Sequence, residues 1–255
     1  MIDENIRKLY RKFNEIRKMG YVKSVRNGST GIGATFEYLL GKEEESFEIP
    51  DYYGIEIKCT TRYSKYPLYL FTVAFDGPTF PEINRLIDSY GWPDKDFKEK
   101  KVLFANVKCN SKSIINNKYK FRLDIDENEE KMFLCIYDLN DNLLERKSFV
   151  YIDSLYNHLC LKLKKLATIK AFKKNTDNYN SFRYYYIAIY KLISFERFIV
   201  LLQNGYINAS IIARMNKSGV DVARYRNKNL VFSINKKNIN LLFEKVYSYN
   251  CDYPR

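Results

Sequence analysis

The 255-residue sequence predicts a mixed α/β (α+β) protein, with a sheet of mixed strand direction flanked by helices, and three observations carry that expectation. Apolar positions Ile6, Leu9, Tyr10, Phe13 and Ile16 recur at helical spacing between a capping Asp3 and a terminating Gly20. Runs rich in aromatic and β-branched residues, such as YPLYLFTVAF and KMFLCIYDL, alternate with turns rich in Gly, Asn and Asp. Helical spacing returns at 153–173 and in FERFIVLLQN, which Ser194 can cap. With 46% hydrophobic residues the chain can bury a substantial core.

Taken in order, the first helix shows a basic outer face, NGSTGIG (27–33) reads as a tight glycine turn, and ATFEYLLG as a short helix ended by Gly41. Strands follow at 55–59 and 66–75, the second apolar enough for burial on both faces. A helix at 81–90 leads to a turn at GWPD. Residues 101–150 read as a meander of four runs, VLFANVKC, KYKFRLDI, KMFLCIYDL and LLERKSFVYI, with DENEEK (126–131) at an exposed hairpin tip. A helix over 153–173, a linker at KKNTDNYNS, a strand at 182–191 and the Ser194 helix, stopped by Gly205, come next. Strands at 206–215 and 222–234 and a closing helix capped by Asn235 complete the chain, with no internal repeat.

The formal charge of +13 is unevenly spread. Residues 1–150 hold 25 Lys and Arg against 24 Asp and Glu, whereas residues 151–255 hold 18 against 6. A basic block suits a polyanion, since neutralising phosphates releases their counterions. The competing explanation, an AT-rich genome that inflates Lys, Asn, Ile and Tyr, accounts for the lysines better than for the asymmetry. The five cysteines are odd in number and far apart, which fits neither a disulfide framework nor a zinc ribbon and points to a reducing cytoplasm. No run of eighteen apolar residues occurs, and MIDENIRKLYRKF carries charges where a signal peptide is apolar, so a soluble, unexported protein without a membrane partner is expected.

The lone histidine, His158, sits among apolar neighbours in a helical stretch, where a structural role is expected. Its isolation excludes Ser-His-Asp and Cys-His chemistry and multi-histidine zinc sites. GSTGIG lacks the lysine of a phosphate-binding loop and reads as a sharp turn. Carboxylates and lysine remain, and IPDYYGIEIKC (49–59) sets Asp51, Glu56 and Lys58 in a strand whose Ile55 and Ile57 face the opposite layer. Phosphodiester hydrolysis needs a divalent metal and a group that positions water. Asp51 and Glu56 suit a hard cation such as Mg2+, with the Ile57 carbonyl as a further ligand, and Lys58 suits the attacking water and the transition state. Alone, D-x4-E-x-K is equally compatible with a surface salt bridge.

The ordered run GSTGIGATFEYLLG, IPDYYGIEIKC and YLFT, residues 28–72, resembles the MvaI/BcnI type II restriction endonucleases, relatives of the mismatch-repair nicking enzyme MutH within the PD-(D/E)xK nuclease fold. A weaker likeness covers FRYYYIAIYKLISFERFIVLLQNGYINASI, and residues 101–150 match least. The resemblance implies that Asp51, Glu56 and Lys58 are metal ligands and catalytic lysine, with Glu37 as the family's helix carboxylate. It implies a nuclease core and a basic recognition lobe that form a cleft for double-stranded DNA, Mg2+ as cofactor with Mn2+ able to substitute, a monomer, and a cognate methyltransferase encoded nearby in a bacterium or archaeon. The corresponding division is 1–100 as catalytic lobe, 101–175 as meander and connecting helix, and 176–255 as recognition lobe. Histidines that some relatives place near the late strands are missing, and Arg224 and Arg226 stand there.

Arg214, Arg224 and Arg226 lie on or beside late strands, where guanidinium forks either read guanine or hold phosphate. Lys23, Arg26, Arg62 and Lys65 flank the catalytic motifs and suit backbone phosphates. Two other readings stand beside the restriction enzyme: a MutH-like strand-nicking repair endonuclease and a non-catalytic DNA-binding protein.

Overall fold

Strands far apart in sequence pair with one another, and that pairing divides the computed structural model into two compact units. It describes residues 3–41, 50–176, 179–217 and 221–251, with the backbone alone at 226–228. In chain order the elements are α1 (Glu4–Lys18), β1 (Val22–Lys23), α2 (Gly31–Leu39), β2 (Glu56–Thr61), β3 (Leu68–Val73), α3 (Glu82–Tyr90), β4 (Trp92–Pro93), β5 (Lys101–Val107), β6 (Ser113–Ile115), β7 (Tyr119–Asp126), β8 (Lys131–Tyr137) and β9 (Leu143–Tyr151). Then follow α4 (Ile152–Leu163), β10 (Lys165–Asn175), β11 (Asn180–Leu192), α5 (Phe195–Gln203), β12 (Ile207–Met215), β13 (Tyr225–Ile234), α6 (Ile239–Leu242) and β14 (Phe243–Asn250).

The first unit comprises residues Met1–Tyr66, Cys160–Ile193 and Asn240–Arg255. Its helix α1 begins where the sequence predicts, because the Asp3 carboxylate accepts from the Asn5 N–H at 2.9 Å and pairs with Lys165. The sheet runs β1-β11-β10-β2, with β14 also on β11, and only the β10–β2 pair is parallel. The buried stripe of α1 (Ile6, Leu9, Phe13, Ile16) and Ile32 and Phe36 of α2 pack on one face of this sheet, against Ile55, Ile57, Ala167, Ile169, Ile187 and Ile189. Burying each large apolar side chain contributes about 1.5–3 kcal/mol. A one-residue slip of β2 would expose Ile57 and bury Lys58, so this cluster sets its register and leaves Glu56, Lys58 and Thr60 on the other face.

The second unit comprises Pro67–Leu159 and Ser194–Ile239 and contains two sheets, β3-β13-β12-β5-β4 and β6-β7-β8-β9. Phe71, Phe198 and Phe232 form an aromatic core with centroids 4.9–5.6 Å apart. The Ser194 hydroxyl accepts from the Arg197 N–H at 3.1 Å, the expected cap of α5, and Gly205 ends that helix at φ +75°. His158 is structural as expected: Nδ1 donates to the Ser154 carbonyl at 2.7 Å and its ring stacks on Phe71.

Several expectations need correction. The helix predicted over 153–173 stops at Leu163, because Leu166, Ala167, Ile169 and Ala171 are buried in β10 between β11 and β2. KKNTDNYNS is the turn region of the β10–β11 hairpin and not a linker, with 177–178 outside the described residues. After Asn235, whose side chain accepts from the Lys237 N–H, one turn of 3-10 helix and the short α6 lead directly into β14. There Tyr247 and Tyr249 pack on Tyr10 of α1, and β11 supplies the edge. The run at 101–107 is β5 and pairs with β12, so the meander proper is β6–β9. Strand β3 is not buried on both faces, since Tyr69 and Thr72 are exposed. GWPD contributes the two-residue β4, and α2 starts at Gly31.

The division expected at 100 and 175 differs from the observed units, because β10, β11 and β14 join β2 while β12 and β13 join β3 and β5. The charge follows the pairing. The first unit holds 22 Lys and Arg against 13 Asp and Glu, and the second 21 against 17. Most of the basic excess therefore belongs to the unit that carries D-x4-E-x-K, not to a C-terminal lobe.

Candidate active site

Tyr53 and Gly54 have φ of +47° and +78°, and Tyr52 and Ile55 exchange backbone hydrogen bonds of 3.0 and 2.9 Å. This two-residue hairpin turn, with positive φ at both central positions, explains the spacing of the motif. It folds Asp51 back beside Glu56, and Asp51 Oδ2 accepts from the Ile57 N–H at 2.8 Å. That bond lies off the edge of the sheet, since β2 is the outermost strand and pairs through its other side with β10.

Glu56 is 2% exposed. Its Oε1 accepts from Lys58, whose side chain is 27% exposed, and lies 4.0 Å from Lys162 Nζ. Burial raises the Glu56 pKa, Lys58 counteracts this, and the charge of Asp51 raises it further. The other oxygen, Oε2, is buried and has no hydrogen-bond partner among the described residues. A buried carboxylate oxygen without a donor is costly, and a cation is the partner that suits it.

Lys162 was not legible in the sequence, where it sits among Lys164 and Lys165 in a run that predicts a longer helix. It reaches Glu56 because α4 ends just before β10, which lies parallel to β2 with Leu166 opposite Glu56.

The glycine loop packs tightly. A Cβ on Gly31 would lie 2.5 Å from Ser24 Oγ and 2.6 Å from the Arg26 carbonyl oxygen. The Thr35 hydroxyl, 1% exposed, donates to the Gly31 carbonyl at 2.7 Å and accepts from the Val25 N–H at 3.1 Å. From β11 the buried Tyr184 hydroxyl donates to the Ile32 carbonyl at 2.7 Å, which ties the start of α2 to the sheet. Glu37 leaves α2 near β2: burial lifts the Cys59 thiol well above its ordinary pKa, and the charges of Glu37 and Asp51 add to that shift. No three His, Cys, Asp or Glu side chains among the described residues converge as a ready-made metal cage. The donor set fits a hard cation held by two carboxylates and waters, because Asp51 and Glu56 adjoin and Oε2 lacks a donor.

The remaining predicted residues divide between the units. Lys23 lies 4.8 Å from the Tyr179 ring, Arg62 stacks near Tyr63, Phe172 and Tyr185, and Arg26 and Lys65 are exposed, all in the first unit. In the second, Arg214 of β12 lies 3.9 Å from the Phe104 ring, its backbone pairs with Arg226 of β13, and the exposed Arg224 pairs with Asp221 at 3.1 Å. No distance assigns any of the seven to DNA.

An acidic turn, a buried glutamate and a lysine thus meet at the edge strand of a helix-covered mixed sheet. The MvaI/BcnI restriction endonuclease family model matches residues 10–243, and the chain belongs to that family. It is accordingly a type II site-specific deoxyribonuclease. The solved complex of restriction endonuclease MvaI with its cognate DNA substrate is similar at a TM-score of 0.87 and 27% identity, over 98% of this chain and 99% of that one. MvaI solved in the absence of DNA gives 0.59 and 28% identity, over 96% and 98%. Among curated proteins no sequence matches.

Proposed function

We propose that this enzyme is a Mg2+-dependent endonuclease that cuts a short specific sequence in double-stranded DNA, with Asp51, Glu56 and Lys58 as its catalytic centre. The observation that carries the reading is Glu56, buried beside Asp51 with Lys58 on Oε1 and Oε2 without a donor. Asp51, Glu56 and the Ile57 carbonyl would hold the cation. In a strand the N–H and C=O of one residue project to the same side, so that carbonyl emerges on the edge where Asp51 already meets the Ile57 N–H. When bound, Mg2+ supplies neutralisation of the charge that develops on the phosphoryl oxygens.

The chain's own residues do the rest. Lys58 donates to the attacking water and to the phosphoryl oxygen whose charge grows, and Glu56 Oε1 holds that ammonium in place. Glu37, on the neighbouring helix, adds negative charge near β2 and would approach the cation directly or through water. Similarity to the MvaI complex supports duplex DNA as substrate. Lys23, Arg26, Arg62 and Lys65 serve backbone phosphates, and Arg214, Arg224 and Arg226 serve base edges or phosphates of the recognised sequence. The enzyme acts as a cytoplasmic monomer beside a separately encoded methyltransferase. No described helix is long and apolar enough to cross a membrane.

The test is digestion of plasmid DNA by the purified protein with Mg2+, with Mn2+ and with chelator, followed by sequencing of the ends. Discrete fragments that need metal and share one terminal sequence are expected. Intact plasmid under every condition would leave only a DNA-binding protein, and single-strand nicks alone would favour a strand-nicking repair enzyme.

A further inference from the structure

The face of the first unit's sheet that displays Glu56 and Lys58 does not end with them. Alternation along β2 puts Thr60 and Arg62 on the same face, and β10 adds Thr168 opposite Lys58 and Lys170 opposite Thr60. The Arg62 N–H donates to the Ala171 carbonyl at 3.0 Å, so the pairing runs past the end of β2 and brings Arg62 level with Phe172. Across the sheet Phe172 is paired with Arg183 of β11, and Lys170 with Tyr186. Ile169 and Ala171 of β10 lie on the covered face with their partners Ile187 and Tyr184, the β-bulge at Tyr185 resetting the alternation of β11, so Lys170, Phe172, Tyr186 and Arg183 face the other way.

Phe172 is flanked by two guanidinium groups, Arg62 at 5.0 Å and Arg183 at 4.8 Å from its ring centroid. Arg183 also lies 5.5 Å from the Tyr21 ring, and Lys170 Nζ lies 4.9 Å from that of Tyr186. Stacking engages the faces of a guanidinium and leaves its in-plane N–H donors at the rim, where they match the oxygens of a phosphate. Two like charges gathered on one ring are favoured when an anion lies between them. The strands concerned are strongly basic: residues 162–174 hold six lysines and no acidic residue.

We propose that this face is a phosphate track continuous with the catalytic centre, in which Lys170 and then Arg183 hold the DNA backbone beyond the phosphodiester that is cut. The proposal rests on the nuclease reading for its polarity, not for its existence. At about 3.3 Å per residue the Lys170 row lies about 7 Å and the Arg183 row about 13 Å along the strands from Lys58. At an axial rise of 3.4 Å per nucleotide this corresponds to roughly two and four nucleotides from the cut. The contacts are to backbone and carry no sequence information.

The experiment measures binding of the full-length protein to a random-sequence duplex without metal, over a salt series, for wild type, Arg183→Gln, Lys170→Gln, the double variant and Lys12→Gln. Lys12, paired with Glu15 on α1 at the other side of the sheet, is the control. Each track variant should lower the log–log salt slope by about one unit, and at 0.1 M salt weaken binding about eightfold, since each phosphate contributes about 0.9 to the slope. The double variant should lose about two units and the control none. Arg183→Lys should restore the slope, which guards against misreading a folding defect in Arg183→Gln.

Wild-type slopes in Arg183→Gln and Lys170→Gln would overturn the track. Plasmid cleavage with Mg2+ on the same preparations separates the two readings. If wild type cuts and the variants keep their slope, the track falls and the nuclease stands. If wild type binds with the predicted slopes but never cuts, the track stands and the nuclease falls.

Discussion

Replacing Asp51 by asparagine removes one negative charge but leaves an oxygen that can accept from the Ile57 N–H, now at 2.8 Å from Oδ2. A hydrogen bond to a charged group contributes about 1.5–3 kcal/mol and a neutral one about 1, so the fold should lose about 1 kcal/mol. Even that is partly offset, because Asp51 no longer repels the buried Glu56. For units of this size the thermal midpoint should fall by only a few degrees. Activity should behave differently. An amide oxygen is a far poorer ligand for a hard cation, and if about 3–4 kcal/mol of transition-state stabilisation is lost, cleavage slows about 10²–10³-fold. Thermal unfolding and the rate of Mg2+-dependent conversion of supercoiled plasmid, measured on the same sample, make the comparison. Cleavage within about threefold of wild type would refute the metal-ligand assignment. A large fall in stability that accounts for the lost activity would instead reduce Asp51 to a structural hydrogen bond.

Lys58→Ala should abolish turnover while duplex binding stays near wild type, because the ammonium serves the transition state more than the ground state; a titration in chelator paired with a cleavage assay checks this, and retained turnover would remove Lys58 from the mechanism. Gly54→Ala meets no atom within 4 Å of the added Cβ, but φ is +78°, so about 1–2 kcal/mol of stability should be lost to backbone strain alone, as measured by denaturant unfolding. In the second unit Arg85 joins Glu82 at 2.5 Å, Glu145 and Ser148, so Arg85→Ala should cost about 3 kcal/mol at neutral pH by leaving the buried Glu82 carboxylate without its cation and the half-buried Glu145 with only Lys147 and the Tyr90 hydroxyl. Burial alone would raise the Glu82 and Glu145 pKa values, but hydrogen bonds from Arg85, Ser148, Thr79 and Tyr90 hold both below the ordinary value. Their folded pKa values are depressed, so this stabilisation is present above the ordinary carboxylate range and lost as pH falls through it. The gap between wild type and Arg85→Ala should therefore close in acid, and a gap independent of pH would exclude the charge network as its cause.

The local elements of the first 90 residues were legible because their signals are short-ranged. Asp3 caps α1, Gly28 and Gly41 have positive φ at the bends of the glycine loop and the end of α2, and the Ile-x-Ile alternation sets Glu56 and Lys58 on one face of β2. The family resemblance was legible on the same residues, since spacing within one turn and one strand places Asp51 beside Glu56. Beyond them the competition was between pairings, which a single stretch of sequence does not decide. LKLKKLATIKAFKK satisfies helical and strand periods alike, and only the vacant positions between β11 and β2 made most of it a strand. The same register carried Lys162 to Glu56 and Phe172 between two arginines, contacts that span more than a hundred residues for the one and bridge three strands for the other. Net charge was read correctly in sum but assigned to the wrong part of the molecule. Composition is counted along the chain, whereas the field that DNA meets is set by which strands lie side by side.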